Sequence, residues 1–246
     1  MYKNTKGVPL KKILFIFSVT VCLLNASGLF NEYKTNIISI NGDRATVDNS
    51  KDIVVGSSGI VVHKFADKTS SIIARVDVVS KLGDKATLKF HTYTTLKQNA
   101  LPIPGIAPKA GDQVILNYLY DRALIVAPSY KVYHEVTTHF KNITWVHPDV
   151  MGGYLAMHYR PNPDKKIFQD MCKENVTSLI FFALSNEAVF VDCNNFKIVK
   201  ELKSSPIKTA QLPFYTRVKG IETSWFNFSS SKMDSYSNYY KRLINR

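Results

Sequence analysis

The chain opens on a long apolar run and then settles into short segments that alternate apolar and polar residues. Residues 13–24, ILFIFSVTVCLL, are nearly all apolar, and Lys3, Lys6, Lys11 and Lys12 precede them without an acid. Small residues follow at Asn25-Ala26-Ser27-Gly28. This order predicts a secretory signal peptide over 1–28, cleaved after Gly28, with Ala26 as the second choice. As a helix the apolar run spans roughly 18 Å against about 30 Å of hydrocarbon, so a permanent membrane span is the weaker reading. Val21 stands before Cys22, where lipoprotein processing wants a small residue.

From Tyr33 to Pro128 the period is close to two. Strands are expected over 35–40 and 44–47, joined by Asn41-Gly42-Asp43, then over 57–65, 71–80 and 85–91, with a tight turn at Leu82-Gly83-Asp84. Residues 101–109, LPIPGIAPK, are too rich in proline for a strand. A strand within 110–120 follows, and 122–127 is expected to pair back on it across Tyr120-Asp121. Short strands broken by Gly-Asp turns predict a small barrel-like domain, closed or half-closed, over 29–128.

After Pro128 the pattern turns helical. Ser129 caps a predicted helix to Phe140, His147-Pro148-Asp149 opens a second over 150–159, and Pro161-Asn162-Pro163-Asp164 precedes a third over 165–174. Strands over 177–184, 188–192 and 196–202 then form an antiparallel meander. Residues 129–219 thus read as a smaller α+β unit, which makes the chain α+β overall. Residues 220–246 are rich in Ser, Asn and Tyr and read as a polar, loosely ordered tail, within which 233–244 can form a short amphipathic helix.

Composition narrows the class. With 246 residues, 45% hydrophobic and 21% charged, the chain is neither collagenous, wholly disordered nor a polytopic membrane protein. Lys and Arg number 32 against 19 acids; removing 1–28 takes four of the bases and leaves +9. A basic exported protein meets acidic surfaces, while bases scattered singly argue against nucleic acid. The mature chain keeps Cys172 and Cys193. An oxidising compartment invites a bridge between them, worth about 3 kcal/mol for a loop of this size; two buried thiols are the alternative.

Catalytic chemistry finds no anchor. None of the six histidines stands in H-E-x-x-H or at zinc-ligand spacing, and G-x-S-x-G, Walker and G-x-G-x-x-G motifs are missing. Gly56-Ser57-Ser58-Gly59 leads into a strand and reads as a turn, not a phosphate loop. His147-Pro148-Asp149 matches the J-domain tripeptide, but a proline and an acid in the first turn of a helix explain it without a partner. No catalytic residue, metal site or cofactor is assigned, and the expectation is a protein that is not an enzyme.

Several stretches resemble the N-terminal domain family of plasminogen-binding protein A, exported proteins of the bacterial envelope. They are GIVVHKF (59–65) with SSIIA (70–74), LPIPGIAPKAGDQVILNYLYDRALIVAPS (101–129), ITWVHPD (143–149), VDCNNFKIVKE (191–201) and AQLPFYTRV (210–218). The resemblance implies a location in the periplasm or at the cell surface and capture of host plasminogen. Plasminogen's kringles hold a lysine between an anionic end, an aromatic floor and a cationic end. A C-terminal lysine supplies both charges, whereas an internal lysine needs an acid nearby. Lys232, Lys241, Arg242 and Arg246 are the candidates in the tail, and Arg246 stands where the pattern wants lysine. The alternative is a periplasmic structural or adaptor protein of an envelope machine such as the flagellar motor, with no plasminogen role.

Overall fold

The structure, a computed structural model, describes residues 29–92, 105–221 and 233–244. The predicted leader with its Gly28 cleavage site lies outside these residues, as do Lys232 and Arg246. No described helix is long and apolar enough to cross a membrane.

The first half builds a seven-stranded sheet from β1 (Tyr33–Asn36), β2 (Ser39–Asn41), β3 (Arg44–Asp48), β4 (Ser58–Lys64), β5 (Ser70–Leu82), β6 (Lys85–His91) and β7 (Gln113–Leu116). Its order is β1-β7-β4-β5-β6-β3-β2, so β1 and β2, neighbours in sequence, lie at opposite ends. Two adjacent residues bridge those ends. Ile37 N–H donates to Asp112 O, beside β7, and Ile38 N–H donates to Thr46 O on β3. The sheet curls around Val47, Ile53, Val61, Val76, Leu88 and Leu116, all essentially inaccessible. Gly59 lies within β4, and a Cβ there would stand 2.3 Å from Ile115 O, so only glycine lets β4 and β7 approach this closely.

The expected pairing of 122–127 with the preceding strand is corrected. β7 ends at Leu116, and Asn117 and Leu119 take left-handed backbone (φ 57° and 58°). The chain then crosses to a second sheet as β8 (Arg122–Val126). There β8 runs parallel to β9 (Thr144–Val146) and β10 (Leu179–Leu184), with β11 (Glu187–Asp192) and β12 (Ile198–Lys203) completing the order β12-β11-β10-β8-β9. The physical reason is two-sided burial. ALIV in β8 and LIFFAL in β10 are buried throughout, as parallel strands covered on both faces require. The antiparallel meander of β10, β11 and β12 stands as expected.

Helices cover both faces. α1 (Tyr130–His139) leans on one with Val132, Tyr133 and Val136, over Phe181 and Phe190. α2 (Pro148–Met157), α3 (Lys165–Glu174) and α4 (Tyr236–Leu243) cover the other. Caps follow the sequence: Ser129 Oγ accepts from Val132 N–H, Asp164 accepts from Ile167 N–H, and Pro148 opens α2. Asp149 does more than favour the helix start. It accepts bonds from the Thr216 hydroxyl and from Arg217, which pins the segment before Val218 onto α2. Cys172 on α3 and Cys193 after β11 form a disulfide.

The last helix departs most from expectation. Residues 233–244 are not a loose tail: Met233, Tyr236, Tyr240 and Ile244 are all buried in the α2–α3 core. Tyrosines at i and i+4 give this polar segment one apolar side. Each phenol then finds a carbonyl, Tyr236 donating to Val126 O (3.0 Å), Tyr239 to Pro163 O (3.1 Å) and Tyr240 to Pro213 O (2.8 Å). A phenol so partnered buries its ring without stranding its hydroxyl.

Candidate functional site

β12 is an edge strand, and its IVKELK sequence carries the charges that keep such edges from pairing with other chains. Register decides where those charges go. Lys203 stands opposite Glu187 and Glu201 opposite Val189. Opposed residues share a face, and Val189 belongs to the core beneath α4. Lys203, Glu187 and Glu201 are therefore on the α4 side, while Leu202, opposite Ala188, packs on the α1 side.

α4 completes the rim. Ser237 Oγ accepts from Ser185 N–H at the β10–β11 turn, which fixes the helix over the end of the meander. One turn later Lys241 Nζ reaches Glu187 Oε1 at 3.0 Å, and Arg242 beside it is exposed. Two carboxylates, Glu201 and Glu187, thus share this face with the cations Lys203, Lys241 and Arg242. Two of the four candidates named from sequence, Lys241 and Arg242, sit here. Lys203, Glu187 and Glu201 were not singled out, although K-E-L-K closing a meander was the available signal.

The two sheets meet at a buried polar joint. Asp192 is fully buried at the end of β11. Its Oδ2 accepts from the Ser58 and Tyr120 hydroxyls, and its Oδ1 accepts from the Asn194 and Asn195 N–H groups. Ser58 N–H donates back to the Tyr120 oxygen (2.9 Å), and Asn195 Nδ2 donates to Gly56 O (2.8 Å). Burial raises the Asp192 pKa to about 6, against the bonds from Ser58, Asn195 and Tyr120 that lower it. Burial also holds the Tyr120 phenol well above its ordinary range, with the Asp192 charge adding to it.

A carboxyl with a raised folded pKa holds its proton more tightly folded than unfolded. Its contribution is complete below the unfolded value and is lost as pH rises through the folded one. Between pH 4 and 6.5 this group is expected to cost up to about 3 kcal/mol. Asp192→Asn, which cannot ionise, removes that slope. The unaltered protein should lose stability relative to Asp192→Asn as pH rises across this range, so their denaturation curves separate with pH, and parallel profiles would contradict the assignment.

The family described as plasminogen-binding protein pgbA N-terminal matches residues 32–244. This chain belongs to that family. Two curated relatives, each named plasminogen-binding protein PgbA, from Helicobacter pylori strains J99 and 26695, are 26% identical over 199 residues. The aligned part covers 79% of this chain and 43% of each relative, so the chain spans under half the length of those proteins. The stretches that carry the family resemblance converge in space. GIVVHKF and GDQVILNY are the paired strands β4 and β7, clasped by His63 and Asp112 at 2.7 Å. VDCNNFKIVKE supplies both the Asp192 joint and the first residues of the β12 rim.

Proposed function

We propose that this chain is an exported, non-enzymatic binding protein that captures plasminogen by presenting lysines. The observation that carries the reading is the family match over 32–244, with relatives named as plasminogen-binding proteins. The rim around α4 supports it chemically. A module that recognises lysine through opposite charges at its two ends needs a cation with a carboxylate near it. Lys203 and Lys241 have Glu187 and Glu201 on the same face. Arg242 extends the cationic side, and Lys232 and Arg246 flank the same helix in sequence.

The test is binding to immobilised plasminogen with increasing 6-aminohexanoic acid, a small mimic of a terminal lysine. The expected result is complete loss of binding at saturating competitor. Binding indifferent to the competitor would overturn lysine presentation.

A further inference from the structure

A second feature lies away from the lysine rim. Between the sheets, beside the joint, a cleft of about 340 Å³ opens to solvent. That volume lies in the range of small-ligand sites, which favour the meeting of two structural units. β4 and β5 supply one wall, through Ser58, Gly59, Ile60 and Arg75. α3 and the segment after it supply the other, through Gln169, Lys173, Thr177 and Ser178.

Among the described residues the lining holds Arg75 and Lys173 and no carboxylate. Asp77, which is not in the lining, grips Arg75 Nη1 at 2.6 Å and so orients the guanidinium while its other N–H donors remain. Lys173 has no ion-pair partner among the described residues and sits exposed at the rim. Ser178, only 8% exposed, adds a hydroxyl-bearing side chain to the same wall. Ile60, Leu119, Val176 and the disulfide add an apolar wall. Two cations, neutral polar side chains and a short apolar surface match one ligand chemistry: an oxyanion on a compact body bearing hydroxyl or amide groups.

We propose that this cleft binds a small organic anion, a carboxylate or phosphate ester of sugar size. The site is separate from lysine presentation, since none of Lys203, Lys241 and Arg242 lines it.

The experiment is an amide-resolved NMR titration of the oxidised protein with four probes: N-acetylneuraminate, glucose 1-phosphate, neutral N-acetylglucosamine and inorganic phosphate. At least one of the two anionic sugars should shift the Ser58, Ser178 and Asn194 amides saturably, and which one does so separates carboxylate from phosphate. Lys173→Glu should weaken that binding about tenfold or more, as the loss of a charge-assisted hydrogen bond implies. Lys68→Glu, the same charge change on the exposed β4–β5 turn, should leave it unchanged. No response to either anionic sugar would overturn the proposal. So would equal binding of the neutral sugar, equal binding of phosphate alone, or indifference to Lys173→Glu. Plasminogen binding measured on Lys173→Glu should stay at the level of the unaltered protein, which keeps the two readings distinguishable.

Discussion

Replacing Tyr240 with alanine is expected to destabilise the protein by about 3–5 kcal/mol, the cost of truncating a large buried aromatic. Tyr240 is 0% exposed and packs against Phe182, Tyr236 and Phe168, with ring centroids 5.4, 5.0 and 6.3 Å away. Helix α4 also lays Met233, Tyr236 and Ile244 on this core, so the cavity is walled by α3, β10 and its own helix. Tyr240→Phe keeps the ring and loses only the bond to Pro213 O, which costs about 1 kcal/mol. Denaturant midpoints for both variants, compared at equal slope, give the measurement. A loss below about 1 kcal/mol for Tyr240→Ala would mean that α4 does not belong to the core. The same packing bears on function. Deleting 220–246 would remove Lys241 and Arg242 and part of the core together, so only point substitutions separate the two.

Reducing the Cys172–Cys193 disulfide is expected to cost about 3 kcal/mol, as a cross-link over a sequence separation of 21 constrains the unfolded chain. The bridge ties the last turn of α3 to the residue that follows Asp192. Thr177 N–H and Cys193 N–H close the same corner, bonding Cys172 O and Ser178 O at 2.9 Å each. Loss of the bridge should therefore loosen one wall of the cleft between the sheets before it unfolds either sheet. Unfolding curves for the oxidised protein and for the Cys172→Ser/Cys193→Ser double variant measure the difference. Equal midpoints would show that the bridge contributes nothing beyond packing.

How much was legible in the sequence depended on what buries each segment. Alternation exposed the strands of the first sheet because one face of each meets the core and the other meets solvent or partial cover. The same logic misassigned β8. A wholly apolar ALIV carries no face preference, and sequence adjacency drew it to β7 when two-sided burial belonged in the second sheet. The burial of α4, though not its helix, was hidden for the opposite reason. Its buried positions are tyrosines, counted as polar until Val126, Pro163 and Pro213 supply carbonyls for their hydroxyls. At the candidate site Lys241 and Arg242 were visible as tail cations. Lys203 and Glu187 were not, because their meeting depends on the β11–β12 register and on where α4 lands. The cleft residues Arg75 and Lys173 are 98 positions apart and share no motif, so only the fold brings them to one opening.

The most direct test of lysine presentation is the affinity of Lys203→Ala/Lys241→Ala for plasminogen, measured beside the unaltered protein at matched folded fraction. Both side chains lie on the rim, outside the buried core, so the variant should keep its fold. The account predicts binding weakened tenfold or more, as losing charge-assisted contacts to an acidic pocket implies. Unchanged affinity in a folded double variant would contradict it and remove the α4 rim as the place where plasminogen is held.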